Sequence, residues 1–209
     1  MRFPLPRTRP SMRRSTRRSM RRSTLQRTLF GTLALTSLCL VGCAPAPAPE
    51  WTPPPPTSPT APVFASNDEA LAAATAAYGA FLSAGGKILE EGGADPGRIA
   101  AYVTADYLPS VTAEIKGFTD RGHKNLGVPT FDTASVVRYQ DLHPNQASVD
   151  IYACYDVSAL RVLDNGGIDV TPTNRLDRVP FQVQLVSSPN SPNVLLVNKE
   201  DVWPGRNFC

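Results

Sequence analysis

The side chains with chemistry to offer in this sequence are four cysteines, two histidines and a set of tyrosines and aspartates in its second half. His123 and His143 stand in loop-like surroundings, with no Cys or second His at the spacing a zinc site needs, so both read as solvated surface residues and no metal is expected. "GGADPGRI" puts Gly92 and Gly97 at phosphate-loop spacing, but Arg98 and Ile99 replace the Lys and Ser or Thr of that loop, and Pro96 removes an amide from it. It reads as the entry to a helix. In "DNGGID", Asp164 and Asp169 lack the alternating ligands and closing glutamate of a calcium loop, so a hairpin turn is expected there. Neither a nucleophile elbow nor a zinc-protease pattern occurs, and no cofactor is expected. Asp106, Tyr107, Asp150, Tyr152, Tyr155 and Asp156 carry acidic or phenolic groups, but no motif assigns them a role. Tyrosines alternating along a strand more often wall a core or a pocket than act on a substrate, so no residue is assigned a catalytic role.

The elements that must position these residues fall into two groups. "SNDEALAAATAAYGAFL" opens with Ser66 and Glu69 at capping-box spacing, and Ala70, Leu71, Ala74, Ala77, Tyr78 and Phe81 recur at helical intervals, predicting a helix that ends before Gly85 and Gly86. Asp95 as N-cap and Pro96 as first helical residue predict a short second helix, and a third is expected from about Asp106 to Lys116 with Pro109 in its first turn. From Phe131 the period changes to two. Val149, Ile151, Ala153, Tyr155 and Val157 alternate with polar neighbours, as do Val179, Phe181, Val183 and Leu185. With "SVVRYQ" before and "NVLLVNKEDVW" after, and turn residues at "HPNQ", "DNGG" and "SPNSPN", four strands in an antiparallel meander are expected. Helices first and strands afterwards make the class α+β.

This order, from Ser66 to Trp203, resembles the nuclear transport factor 2-like family, in which helices pack on a strongly curved sheet to form a cone with an interior pocket. The resemblance implies about three helices on a curved four-stranded sheet, with Tyr78, Phe81, Tyr152, Tyr155, Phe181 and Trp203 as candidate pocket residues.

The first 42 residues contain ten arginines and no acidic residue, and lead into "LFGTLALTSLCLVG". A membrane-spanning helix needs about 20 apolar residues, whereas this stretch is shorter and has the basic, apolar, small-residue order of an export signal. Leu40, Val41, Gly42 and Cys43 then resemble the lipobox of bacterial lipoproteins, which implies a diacylglycerol on the Cys43 sulfur and cleavage just before it, so that Cys43 becomes the lipidated first residue. Several chains on one cysteine make membrane attachment durable where a single chain would not. The alternative is an ordinary signal peptide cut later. Arg21 and Arg22 with Leu25 resemble a twin-arginine signal but depart from it at Thr24, so general secretion is the expected route; Met12 and Met20 are alternative starts. As a whole the chain resembles small cell-surface lipoproteins of high-GC Gram-positive bacteria.

Removing the signal removes the basic charge. Residues 43–209 hold 11 Lys and Arg against 18 Asp and Glu, leaving −7, which excludes a phosphate-backbone partner on charge grounds. Residues 44–65 carry nine prolines and one charge, Glu50, and form neither helix nor sheet. They predict a polyproline-like spacer of up to roughly 70 Å. The expected organisation is thus signal peptide (1–42), lipidated Cys43 and tether (43–65), and one domain (66–209).

On the lipobox reading Cys39 leaves with the signal and Cys43 is acylated, so Cys154 and Cys209 remain in an oxidising compartment and are expected to pair, the alternative being two free thiols. Such a bond would fold "WPGRNF" back on the sheet. The function expected is that of a non-catalytic lipoprotein on the extracytoplasmic face of the membrane, binding a small or apolar ligand or an envelope protein. The alternative is an isomerase-like or dehydratase-like enzyme on the same scaffold. A closed or apolar pocket favours the first; a buried carboxylate facing Tyr or His in an open pocket favours the second.

Overall fold

The computed structural model describes residues 61–142 and 145–209. The signal segment, Cys39, the lipobox with Cys43, most of the proline-rich segment and His143 lie outside the described residues.

Helix α1 spans Asn67–Glu90. Ser66 Oγ accepts the Glu69 amide (3.2 Å), and the Glu69 carboxylate accepts the amide of Ala65 (2.8 Å), one residue earlier than a capping box would have it. The helix does not stop at Gly85 and Gly86. It runs through them and ends at Gly92 and Gly93, whose φ of 69° and 83° is the left-handed conformation that terminates helices. Gly86 serves packing instead: a Cβ there would lie 2.6 Å from Val128 Cγ1 and 3.0 Å from Pro129 Cδ. The second helix is a 3-10 turn, Pro96–Ala101. Asp95 precedes it but is left-handed (φ 45°), and its side chain caps nothing. Helix α2 spans Leu108–Thr119, with a proline in its first turn, as the sequence predicts.

Six strands follow: β1 (Lys124–Leu126), β2 (Thr130–Leu142), β3 (Gln146–Asp156), β4 (Arg161–Leu163), β5 (Arg178–Ser188) and β6 (Ser191–Val202). The four long strands form one antiparallel sheet in the order β2-β3-β5-β6. The fold is therefore α+β with the expected four-stranded meander. Two three-residue strands, β1 and β4, form a second antiparallel sheet. They are too short to carry a readable alternation. The "DNGG" segment is a turn in which Asp164 Oδ1 accepts the amides of Gly166 and Ile168, closing Leu163 against Asp169.

One face of the sheet packs against α1. Ala70, Ala74 and Tyr78 on the helix, at four-residue spacing, are buried with Val149, Ile151 and Ala153 of β3, Val183 and Leu185 of β5, and Val197 of β6. Each fully buried branched side chain of this set contributes roughly 1.5–3 kcal/mol. The core reaches back to Phe64, whose amide donates to the Tyr139 hydroxyl (3.0 Å) and whose ring meets Tyr139 edge-on at 5.8 Å. Register shifts mark single extra residues in β2, at Asp132/Ser135 and Val136/Arg138, and in β6 at Gln184/Leu185, with a further irregularity between β5 and β6 at Ser187/Ser188. The free edge of β6 is covered by Tyr102–Thr104, which exchanges backbone hydrogen bonds with Val197.

Candidate functional site

Strict alternation along β6 would put Val197, Lys199 and Asp201 on the core face and turn Glu200 to solvent. The bulge reverses this. Leu185 pairs with Val197, but Gln184 pairs with Lys199, so Asn198 is the extra residue and Glu200 comes to face the core side opposite Val183. The bulge is held by side chains: Asn198 Nδ2 donates to Gln184 Oε1 (2.7 Å), and Thr104 Oγ1 donates to Asn198 Oδ1 (2.9 Å).

Glu200 there receives a hydrogen bond from the Tyr78 hydroxyl on Oε1. It lines a cavity of about 480 Å³ at one end of the sheet, between the second half of α1, the inner side of α2 and the start of β2. That volume suits a small organic molecule. Phe81, Leu82 and Leu89 come from α1, Val111, Ile115 and Phe118 from α2, and Pro129 and Tyr155 from the sheet end. Val111 and Ile115 are one helical turn apart and both buried, so α2 presents an apolar face to the space. The charged lining groups are Glu200, Glu114 and Arg121, whose guanidinium sits 6.0 Å from the centre of the Phe118 ring.

Burial pushes the Glu200 carboxyl up to about 7; the Tyr78 hydrogen bond opposes the shift and the Glu114 carboxylate adds to it. Glu200 is half-buried and lines the cavity. Burial, then the nearby Glu200, also raises the Tyr78, Tyr107 and Tyr155 hydroxyls, so all three stay protonated near neutrality. The Tyr155 hydroxyl makes no hydrogen bond among the described residues, while its ring packs edge-on against Phe181 at 5.2 Å. The site thus joins a carboxylate that exchanges its proton near neutral pH to a phenol free to donate, in an apolar recess.

The residues expected from sequence divide between the two faces. Phe81 and Tyr155 line the cavity, Tyr78 holds Glu200, and Phe181 backs Tyr155. Tyr152 and Trp203 lie elsewhere. Tyr152 points to the opposite face, where it meets Trp203 at 4.8 Å and Phe208 at 5.7 Å. Cys154 is on that same face, bonded to Cys209, with the two Cα atoms 5.4 Å apart. Of the candidate acids, Asp150 is buried against Arg138 (2.6 Å) and keeps one unpartnered oxygen, and Asp156 accepts from Arg178 (2.8 Å). Hydrogen bonds from Ser158, then Arg178, hold the Asp156 carboxyl below its usual range. Asp106 is exposed. Sequence reasoning missed Glu200, because the bulge that turns it inward has no signature in the alternation of residue types. Among the described residues no three His, Cys, Asp or Glu side chains gather as a metal would require, and no helix is long and apolar enough to cross a membrane.

No protein-family model matches the chain, and no curated protein matches it either. Among solved structures it is similar to that described as the structure of a periplasmic fragment of TraM, at 11% identity and a TM-score of 0.41, over 66% of this chain and 96% of that one. At that score the likeness carries no argument about function.

Proposed function

We propose that this is a lipid-anchored, extracytoplasmic domain that binds a small, mainly apolar ligand between α1, α2 and the end of the sheet. The single observation that carries the binding function is the 480 Å³ recess walled by Phe81, Leu82, Leu89, Val111, Ile115 and Phe118. Bulges in β2 and between β5 and β6 support a sheet curved about that recess, in the manner of a cone, because each inserted residue bends its strand. The anchor and location rest on the export signal, the lipobox-like "LVGC" and the Cys154–Cys209 bond, which fits an oxidising compartment. Recovering the full chain from its own envelope and identifying the bound molecule by mass spectrometry tests the binding. A chain that comes out empty, and takes up none of the host's extractable lipids and metabolites, would overturn it. Replacing Cys43 by Ser tests the anchor: unchanged processing and membrane attachment would refute lipidation there.

A second reading, proton transfer on the bound molecule, is favoured by Glu200, because a carboxylate facing tyrosine hydroxyls in an open pocket is the feature that separates an enzyme from a passive binder here. Glu200 would take a proton from carbon while the Tyr155 hydroxyl donates to the oxygen that becomes negative. The recovered ligand, incubated with the protein in deuterium oxide, would then incorporate deuterium at a rate that Glu200→Gln abolishes. No incorporation leaves the domain a binder.

A further inference from the structure

The pocket is lined by two carboxyl groups, one guanidinium, and the side chains of Phe81, Phe118 and Tyr155. Glu200 and Glu114 both line it, and neither makes an ion pair among the described residues. Its one cationic lining group, Arg121, is exposed and lies over Phe118 at the outer turn following α2. On the inner side, Glu200 shares the lining with Phe81 and Tyr155 and accepts the Tyr78 hydroxyl, whose ring packs on Phe81 at 6.2 Å and on Phe131 at 4.8 Å between ring centres. The negative faces of aromatic rings and a desolvated carboxylate both favour a positive charge that is weakly hydrated, and both disfavour an anion.

We propose that the pocket selects an organic cation: a molecule with an apolar body along α2 and one ammonium group, protonated or quaternary, lying between the Glu200 carboxylate and the Tyr155 and Phe81 rings. This rests on the ligand-binding function above and narrows its ligand to one chemical class. An ammonium brought beside Glu200 supplies the counter-charge that the protein itself does not place there. The apolar body replaces water along Val111, Ile115 and Leu89.

The test is equilibrium dialysis of the full chain in phosphatidylcholine nanodiscs, with empty nanodiscs subtracted, against three probes of similar size. These are benzyltrimethylammonium, its uncharged isostere neopentylbenzene, and phenylacetate. The cation should bind about tenfold tighter than the isostere, in keeping with a charge-assisted and cation–π contact, and phenylacetate weakest. Glu200→Gln keeps an oxygen for the Tyr78 hydroxyl to donate to, and should reduce the cation's advantage about fivefold or more without weakening the isostere. Should that variant not fold, Glu114→Gln carries the same comparison with a smaller loss. Ile115→Trp, which fills the recess, should abolish binding of both. Equal binding of cation and isostere, or tightest binding of phenylacetate, overturns the cation class and leaves the pocket as a binding site. Binding unaffected by Ile115→Trp, or no binding of any probe, overturns the class and the site together.

Discussion

Replacing Glu200 by Gln should change how stability depends on pH, and the sign follows from the direction of the shift. The folded carboxyl titrates at about 7 against an ordinary 4.5, so between those values the folded state holds a proton that the unfolded state has released. Stability from this group is therefore fully present below the unfolded value, falls as pH rises through the window, and is lost above the folded value. A shift of that size corresponds to an upper bound of roughly 3 kcal/mol. Because Glu200 is only half-buried, a loss on the order of 1–3 kcal/mol is expected. Gln cannot release a proton. Guanidinium unfolding of wild type and Glu200→Gln, with the disulfide intact and at half-unit steps from about pH 4 to about pH 8.5, should show the variant gaining on wild type by that amount across the window and by nothing further above it. A difference between the two proteins that stays flat from end to end would refute the claim that Glu200 is desolvated at the pocket floor. A difference that changes only below about pH 5 would refute it equally, since that is the behaviour of a carboxyl whose folded value is held below its ordinary one by a partner.

The two adjacent glycines of α1 should respond in opposite ways. An alanine Cβ at Gly85 meets nothing closer than Ile99 Cδ1 at 3.9 Å, so Gly85→Ala should stabilise by about 0.5–1 kcal/mol through helix propensity. At Gly86 the same methyl would overlap Val128, and Gly86→Ala should destabilise by about 1–3 kcal/mol in thermal or chemical unfolding. The Cys154–Cys209 bond closes a separation of 55 residues, for which the chain-entropy model gives about 4 kcal/mol. Reduction, or Cys209→Ser, should lower the unfolding midpoint accordingly and release Trp203 and Phe208 from Tyr152, seen as a change in tryptophan emission, and intact mass after alkylation should rise by two adducts only when reductant is present.

The sequence disclosed those parts of the fold whose signals are local and periodic. Alternation from Val149 to Tyr155 and from Val179 to Leu185 marks two strands because one face of each carries the apolar residues of the sheet core, whereas the opposite face of β3 carries Ser148, Asp150, Tyr152 and Cys154. The end of α1 was misplaced because glycine has two uses. At Gly92 and Gly93 it permits a left-handed backbone, whereas at Gly85 and Gly86 it stays helical, and at Gly86 it lets Val128 approach; only the neighbours in space tell these uses apart. The candidate site failed for a related reason. A bulge inverts every later side chain of its strand, and the residue that makes the bulge, Asn198, is identified by its bonds to Gln184 and Thr104, the latter 94 positions away. The aromatic residues Tyr152 and Trp203 share a composition with the pocket wall, but parity puts them on the face that the disulfide holds.

Parity and register also fix where the chain enters the domain relative to the recess. Val63 donates its amide to Asp141 Oδ1 (3.0 Å) and Phe64 packs on Tyr139, both late in β2, whereas Pro129 and Tyr155 of the recess lie at the strand's start and at the β3 residue paired with Phe131. Phe131 to Tyr139, less the two bulged residues, is roughly 20 Å of strand. On the tethered-domain proposal, the proline-rich segment therefore joins the domain at the end of the sheet away from the ligand. Val63 and Phe64 contact Asp141 and Tyr139, neither of which walls the recess. The recess is closed instead by α2, whose Val111 and Ile115 face it, and by the second half of α1, away from Phe64 at the other end of that helix.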